Sequence, residues 1–246
     1  GDLMMARFAW EEFTITAADD FLSPLGDTGD APLNYYLGVL GDTGLSAYFG
    51  LTDYGDVKPG ETVLVSAAAG AVGSIAGQIA KHYGARTVGI SSGAEKCARL
   101  CSDLGYDAAV DRNAPDFTAA LAAACPDGID VYFDNVGGPL LETVLDQINE
   151  DARILLCGSV ATYNSSDAPP GPRNLFQLTT KHALMRGFMT HLQLDRYPQA
   201  RGVLQDWVAQ GHLKVIEHRL HGIDQVGQAF CDLFAGANFG KTIVEL

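Results

Sequence analysis

A glycine-rich turn between a predicted strand and a predicted helix carries the clearest chemical signal in the chain. It reads Thr62-Val63-Leu64-Val65-Ser66-Ala67-Ala68-Ala69-Gly70-Ala71-Val72-Gly73-Ser74. Ala68, Gly70 and Gly73 stand at the three small-residue positions of the fingerprint that binds a dinucleotide. A side chain at Gly70 would keep the backbone away from a pyrophosphate, and one at Gly73 would push the helix off the strand. The N–H groups at the start of that helix would face the phosphates, although a tight turn without a ligand stays an open alternative.

The end of the next predicted strand indicates which dinucleotide is bound. This strand closes with Gly89-Ile90-Ser91-Ser92-Gly93 and lacks the acidic residue that accepts a hydrogen bond from the ribose of NAD. Lys96, Arg99 and Arg112 follow nearby, and cations there would neutralise a 2′-phosphate. The pattern therefore predicts NADP rather than NAD. The alternative is that Lys96 is only a solvated helix residue and that Glu95 serves the ribose.

Two later strands end in polar or glycine-rich segments at the same predicted edge. One segment is Asn135-Val136-Gly137-Gly138, where the glycines allow a cofactor close to the backbone and Asn135 offers both a donor and an acceptor. The other runs from Cys157 to Tyr163, and its tyrosine is a candidate donor to a substrate carbonyl. A plain turn and a packing tyrosine are the alternatives.

Other catalytic chemistries find little support. The six histidines have no metal-ligand spacing, and the five cysteines match neither a disulfide framework nor a zinc site, so no metal is predicted. Tyr54 and Lys58 have the spacing of short-chain dehydrogenases but precede the glycine turn instead of following it. Neither a nucleophile elbow nor a Walker lysine is present, which argues against hydrolases and kinases.

The elements that must position these residues alternate between short β-branched runs and alanine-rich helical segments. This pattern predicts an α/β fold, a doubly wound parallel Rossmann sheet with ligands beyond the carboxyl ends of its strands. The predicted strands are Thr62–Ser66, Thr87–Ser91, Ala108–Val110, Asp130–Asp134, Arg153–Cys157 and Ala183–Phe188. The predicted helices are Val72–Tyr83, Glu95–Leu104, Asp116–Ala124, Leu140–Ile148 and Tyr197–Gln210.

Both ends of the chain differ from this pattern. Residues 1–34 show weak strand signals around Phe8–Thr16 and then a turn-rich stretch from Ser23 to Asp30. The C-terminal part predicts a strand at Lys214–Leu220, a helix at Asp224–Ala235 and a closing strand at Thr242–Leu246. We expect that closing strand to be able to pair with the opening segment as a second lobe.

Composition limits the partners and the location. The chain has 246 residues, of which 47% are hydrophobic, so it can bury a sizeable core. A net charge of −14 repels phosphate backbones and argues against nucleic acid. The apolar stretches are too short for a membrane span and the first residues lack the features of a signal peptide, so we expect a cytoplasmic protein without membrane partners.

Several ordered motifs together resemble one known family. They are Leu37-Gly38-Val39-Leu40-Gly41, Gly44-Leu45-Ser46-Ala47-Tyr48-Phe49-Gly50-Leu51, Ala67-Ala68-Ala69-Gly70-Ala71-Val72-Gly73, Phe133-Asp134-Asn135-Val136-Gly137-Gly138 and Asn238-Phe239-Gly240-Lys241. This series is similar to the zinc-independent medium-chain dehydrogenase/reductases, in the branch of prostaglandin reductases, leukotriene hydroxydehydrogenases and curcumin reductase. The resemblance covers nearly the whole chain.

The resemblance implies a reductase that uses NADPH on carbon–carbon double bonds conjugated to a carbonyl, with an enone or enal as substrate. Hydride would go to the β-carbon, and Tyr163 would stabilise the enolate. The 2′-phosphate would be held by Lys96 and by Arg112, which stands where this branch often has tyrosine. The remaining residues implied to bind the cofactor are Ala69, Gly70, Ala71, Val72, Gly73, Asn135, Cys157, Gly158, Ser159, Phe188, Met189, Thr190 and Asn238. Relatives are commonly dimers, so a homodimer is implied.

The same resemblance divides the chain into domains. Residues 39–216 would form the NADP-binding Rossmann domain, while 1–38 and 217–246 would be the remnant of a β-rich GroES-like substrate domain whose first barrel segment is absent. One alternative is a quinone acceptor. The other, which follows from the absent barrel segment, is an NADP-binding module with little turnover. Asp42 stands where relatives carry an apolar residue near the substrate mouth. We expect it to be the N-cap of the helix at Gly44–Leu51.

Overall fold

The protein is described by a computed structural model that covers residues 1–6, 9–17, 23–26, 28–167 and 170–246. Its strands are β1 Met4–Met5, β2 Ser23–Pro24, β3 Thr62–Val65, β4 Arg86–Ser91, β5 Ala108–Asp111, β6 Ile129–Asp134, β7 Ile148–Leu156, β8 Leu184–Gly187, β9 Glu217–His221 and β10 Lys241–Glu245. Its α-helices are α1 Asp42–Phe49, α2 Gly73–His82, α3 Ala94–Leu104, α4 Phe117–Ala124, α5 Gly138–Leu145, α6 Phe176–Thr180, α7 Tyr197–Ala209 and α8 Val226–Ala235.

A parallel sheet with the strand order β5-β4-β3-β6-β7-β8 organises the fold. The chain order reverses between β3 and β6, which are direct neighbours. In open α/β sheets, ligands bind at such a reversal, beyond the carboxyl ends of the strands. The predicted doubly wound Rossmann sheet is therefore confirmed, and all six of its predicted strands are present with ends shifted by a few residues.

Helices cover both faces of this sheet. Along β3, Val63 and Val65 pack into one apolar cluster, whereas Leu64 between them packs into the other. This alternation follows from the two-residue period of a strand, and it explains why β3 reads as a continuous apolar run. The first cluster includes residues of α1, α2 and α7, and the second includes residues of α4 and α5.

Two local predictions need correction. The helix predicted at Leu140–Ile148 ends at Leu145, and Ile148 already begins β7, where it pairs with Ile129. Asp42 is not an N-cap: α1 begins at Asp42 itself, with Gly41 at the capping position. The Asp42 carboxylate instead accepts a hydrogen bond of 3.4 Å from the Tyr197 hydroxyl.

The ends of the chain also pair differently from the prediction. The closing strand, β10, runs parallel to β9 and not against any described residue of the opening segment. A parallel pair needs a crossover connection, which α8 provides between the two strands. Residues 9–17 contain no strand, Phe8 lies outside the described residues, and β1 pairs antiparallel with β2.

None of the helices within the described ranges combines the length and the apolar character that a membrane crossing requires.

Candidate dinucleotide site

The glycine-rich turn after β3 has the geometry of a phosphate cradle. Gly70 donates its N–H to the carbonyl oxygen of Ala67 at 2.9 Å, and Ala67 takes a positive φ of 46°. A Cβ atom on Gly73 would lie 2.4 Å from the same oxygen, so glycine there is required for the close approach of helix and strand. A Cβ atom on Gly70 would have one neighbour within 4 Å among the described residues, the same Ala67 oxygen at 3.1 Å. The outer side of Gly70 is thus open to a ligand.

The N-terminus of α2 is available to an anion. Val72 stands at its N-cap, and the described residues provide no side-chain hydrogen bond to cap it. Free N–H groups and the helix dipole at such an end favour phosphate. The turn and this helix end therefore fit the pyrophosphate of a dinucleotide.

The C-terminal unit, which consists of β9, α8 and β10, is joined to this cradle. Gly240 donates its N–H to the carbonyl oxygen of Ala69 at 2.8 Å. Gly240 has a φ of +82°, and a Cβ atom there would come within 2.2 Å of the carbonyl oxygen of Ile216. The sequence places Gly240 in a motif, but only the tertiary structure brings it beside the glycine-rich turn.

Three cations lie together next to the C-terminal unit. Burial lowers the pKa of Lys96, and the positive charges of Arg112 and Arg99 lower it further, while Glu95 opposes them. The ammonium of Lys96 donates to the carbonyl oxygen of Asn238 at 2.6 Å and also to that of Gly236. The mutual repulsion of these cations favours a bound phosphate, because an anion there relieves it.

The other two cations, Arg99 and Arg112, differ in their surroundings. The guanidinium of Arg99 lies 3.9 Å from the ring centroid of Phe239 and forms a salt bridge of 3.0 Å with Asp103. The side chain of Arg112 is exposed, just beyond the end of β5. Both lie close enough to Lys96 for their positive charges to act on it.

Asp111 also belongs to this region, although sequence reasoning assigned it no role. Its carboxylate accepts hydrogen bonds from the N–H groups of Asn113 at 3.0 Å and Gly93 at 2.9 Å, and these bonds lower its pKa. It thereby fixes the turn between β4 and α3, from which Lys96 projects. A carboxylate at a strand end, next to a glycine turn on the neighbouring strand, is the signal that could have revealed it.

The ends of β3, β6 and β7 meet on the other side of the cradle. Asn135 donates its side-chain amide to the carbonyl oxygen of Ser66 and its N–H to the Ser66 hydroxyl, both at 2.8 Å. The Cys157–Tyr163 segment packs on this turn, since Val160 donates its N–H to the carbonyl oxygen of Asn135 at 3.2 Å. A Cβ atom on Gly137 would lie 2.7 Å from the Ser159 hydroxyl, so glycine allows this packing.

Tyr163 occupies the outer rim of this region, with 64% of its surface exposed. Its hydroxyl oxygen accepts the N–H of Ser159 at 3.2 Å. Within the described part of the chain no group accepts the tyrosine's own proton in return. The hydroxyl is therefore held in place as an acceptor and remains free as a donor.

The other predicted residues are divided between this region and the packing around it. Phe188 packs its ring against Phe133 and Tyr54, with centroids 6.1 and 5.1 Å away, so its first contribution is to the core. Met189 is exposed, and Thr190 begins a short 3-10 helix three residues after the end of β8. Burial, followed by the charge of Asp134, raises the pKa of the Cys157 thiol to about 12.

Asn238 is buried and donates its side-chain amide to the carbonyl oxygen of Gly240 at 3.0 Å, so it shapes the C-terminal turn. The described ranges contain no grouping of three or more histidine, cysteine, aspartate or glutamate side chains able to hold a metal ion.

Comparisons with known proteins identify relatives of this chain. The family described as zinc-binding dehydrogenase matches residues 71–205. A Bacillus subtilis protein named as a putative NADP-dependent oxidoreductase, YfmJ, is 45% identical over all of this chain and 73% of its own length. The NADPH-dependent curcumin reductase of Escherichia coli is 39% identical over all of this chain and 72% of its own length.

A solved structure shows the same fold. The crystal structure of CurA from Vibrio vulnificus, determined in complex with NADPH, superimposes with a TM-score of 0.91 at 38% identity. The superposition covers 100% of this chain and 74% of CurA. On these matches, and on the uncapped helix beside its glycine-rich turn, the chain belongs to the medium-chain dehydrogenase/reductase family of NADP-dependent oxidoreductases, in its zinc-independent reductase branch.

Proposed function

We propose that this chain uses NADPH to reduce the carbon–carbon double bond of α,β-unsaturated ketones and aldehydes. The observation that carries the proposal is the meeting, at one sheet edge, of an open phosphate cradle and a cluster of three cations, with an exposed tyrosine hydroxyl on the far side. The names of the relatives that act on curcumin and that bind NADPH agree with it.

The pyrophosphate would be held at the start of α2 by Ala69, Gly70, Ala71, Val72 and Gly73. Lys96 and Arg112 would hold the 2′-phosphate, with Arg99 adding positive charge from the same helix as Lys96. The nicotinamide half would extend toward Asn135, Gly158 and Ser159, bordered by Cys157, Phe188, Met189 and Thr190. Asn238 would border the cofactor at its other end, because its carbonyl oxygen lies beside the Lys96 ammonium. Bound NADPH supplies the hydride that the β-carbon receives.

The task of Tyr163 would be to stabilise the substrate as it becomes an enolate. Negative charge develops on the carbonyl oxygen only as the hydride arrives, so a donor aimed at that oxygen lowers the barrier without tightening substrate binding. The geometry supports this role because the Ser159 N–H fixes the hydroxyl while leaving its proton available. The α-carbon would then take a proton from solvent.

The test is to follow NADPH oxidation with a panel of enones, enals and quinones. We expect oxidation that depends on the enone or enal and a product reduced at its double bond. Turnover with quinones alone would assign the chain to quinone reduction instead. Tight NADPH binding without turnover on any acceptor would leave a cofactor-binding module.

We also propose that the chain is divided by function. Residues 39–216 would bind NADP, because they contain the whole six-stranded sheet. Residues 1–38 and 217–246 would belong to a β-rich substrate domain, supported by the separate two-stranded sheets β1–β2 and β9–β10.

A homodimer is proposed through the edge strand β8. Leu184 on this strand is 53% exposed, and Phe176 and Leu192 on the flanking elements are 72% and 77% exposed. Large apolar side chains around an unpaired strand edge favour pairing with another copy. Sedimentation of the wild type, compared with a Leu184→Lys variant, tests this proposal: a wild-type monomer would refute it.

A further inference from the structure

The carboxylate of Asp134, at the end of β6, is fully buried, with 0% of the residue exposed. Its Oδ1 atom accepts hydrogen bonds from the hydroxyls of Tyr132 at 2.8 Å and Ser66 at 3.0 Å. It also accepts the N–H groups of Val136 and Gly137, both at 2.9 Å. One side-chain atom thus fixes the backbone of the turn that leads into α5.

The backbone of the same residue reaches the next strand. Its carbonyl oxygen accepts the N–H groups of Cys157 at 2.9 Å and Gly158 at 3.0 Å. The Ser66 hydroxyl, which donates to the carboxylate, in turn accepts the N–H of Asn135 at 2.8 Å. Asp134 therefore joins the ends of β3, β6 and β7, where the proposed nicotinamide half lies.

The Asp134 carboxylate forms no salt bridge with a lysine, arginine or histidine of the described ranges. Its Oδ2 atom is buried and accepts no hydrogen bond from the residues described. Its four donors are neutral hydroxyl and amide groups. A buried charge of this kind is costly, so packing alone does not explain a carboxylate at this position.

The position of the carboxylate explains what the charge does. The sheet edge presents two glycine turns that each lead into a helix, one before α2 and one before α5. The N–H groups of Val136 and Gly137, just before α5, already bind the Asp134 carboxylate, and neither α5 nor α2 receives a side-chain cap from the described residues. A fixed negative charge at the turn before α5 repels phosphate from that turn.

We propose that Asp134 is a positioning residue for the cofactor: it holds the Asn135–Gly138 turn in its binding conformation and restricts phosphate to the glycine turn before α2. This inference rests on the proposed function, because it assumes that NADPH occupies the site. Asp134 itself touches no reacting atom and acts through the backbone of Asn135, Val136 and Gly137.

Steady-state kinetics of Asp134→Asn test the proposal. Asparagine has the same size and keeps one acceptor oxygen, but it lacks the negative charge. Its hydrogen bonds with the N–H groups of Val136 and Gly137 are therefore weaker. We expect the KM for NADPH to rise about tenfold, with kcat and the KM for the enone within about twofold of wild type. A purely structural effect would reduce the folded fraction and lower the apparent kcat while leaving both KM values unchanged.

Two further variants serve as controls, and a third is a second test of the proposal. Tyr132→Phe removes one hydroxyl donor but leaves the charge and both amides, so the KM for NADPH should stay near wild type. Leu121→Ala destabilises the core from α4, away from the turn, and should change neither KM. Ser66→Ala removes the partner shared by Asp134 and Asn135, and should raise the KM for NADPH even if Asp134→Asn does not fold. An unchanged KM for NADPH in Ser66→Ala or in Asp134→Asn would overturn the proposal.

A measurement without cofactor separates this inference from the proposed function. Amide hydrogen exchange at Val136 and Gly137 in the unliganded protein should be faster in Asp134→Asn than in wild type. If exchange accelerates but the wild type fails to bind NADPH, the proposed function is wrong and the carboxylate still orders the turn. Exchange at the wild-type rate in Asp134→Asn would refute the positioning role directly.

Discussion

The ammonium of Lys96 lies 2.6 Å from the carbonyl oxygen of Asn238, which ties α3 to the turn that precedes β10. The same lysine is the predicted ligand of the 2′-phosphate. Its contact with the C-terminal unit means that occupation of the phosphate site and the position of that unit depend on one side chain. A substitution of Lys96 should therefore affect both cofactor choice and stability.

Lys96→Ala should raise the KM for NADPH about tenfold or more, with a much smaller effect on NADH, because it removes a hydrogen bond between charged groups worth ~1.5 kcal/mol or more. It should also lower Tm, since two carbonyl oxygens lose their donor. Arg112→Ala is the matched control: its exposed side chain should matter for NADPH but not for Tm. Equal changes for NADPH and NADH in Lys96→Ala would refute the phosphate role.

Alanine substitutions at the two glycines of the cradle should separate binding from folding. In Gly70→Ala the new methyl group meets, among the described residues, only the Ala67 carbonyl oxygen at 3.1 Å, so Tm should hardly change while NADPH binding weakens by tenfold or more. In Gly73→Ala it would lie 2.4 Å from that oxygen and 2.6 Å from the Ala68 Cα, so Tm should fall as well. Thermal melts and NADPH fluorescence titrations give both quantities; a Gly70→Ala protein with wild-type affinity would contradict the cradle.

Tyr163→Phe should lower kcat on enones by about a hundredfold to a thousandfold, the order of effect expected for one donor to a developing oxyanion. The KM for NADPH should stay close to the wild-type value, because the hydroxyl lies at the rim of the site. Since that hydroxyl also accepts the Ser159 N–H, Thr162→Val, which removes the hydroxyl partner of Ser159, controls for loosening of the segment. A wild-type kcat in Tyr163→Phe would leave the tyrosine as a packing residue.

His82 predicts a pH dependence of stability. Burial, and next the neighbouring His212, lower its pKa below the ordinary value of 6.5. As the pH falls toward and below 6.5, the unfolded state takes up the proton before the folded state does. The free energy of unfolding therefore falls on acidification and rises toward neutral pH. Between about pH 7 and about pH 5, Tm of the wild type should fall more steeply than Tm of His82→Gln. Parallel curves for the two proteins would show that another group is responsible.

The glycine-rich turn was recognisable from the sequence because its requirements are local. Gly73 is fixed by what a Cβ atom would strike within a few residues, and the apolar run before it identifies a strand covered on both faces. The same reasoning located the six strands of the sheet and the strand ends at which we propose that the cofactor binds. The ends of helices and strands were predicted less accurately, because the end of α5 and the start of β7 depend on the pairing of Ile148 with Ile129.

Asp42 shows where local reasoning failed. The residue before a helix is a natural candidate for a cap, but the Tyr197 hydroxyl, distant in sequence, is its hydrogen-bond partner. The parallel pairing of β9 with β10 escaped prediction for a similar reason, because a strand of five residues pairs equally well with several partners until the crossover helix is placed.

The sequence by itself determined the fold class, the phosphate cradle and the presence of cations near it, because these depend on spacing within single βα units. Only the tertiary structure decided that Lys96 holds the C-terminal turn, that Gly240 bonds to Ala69, and that the Asp134 carboxylate is buried where three strands end. Those contacts join residues up to 171 positions apart, and the energy of a hydrogen bond or a buried charge depends on the partners that the folded chain provides, which no local pattern encodes.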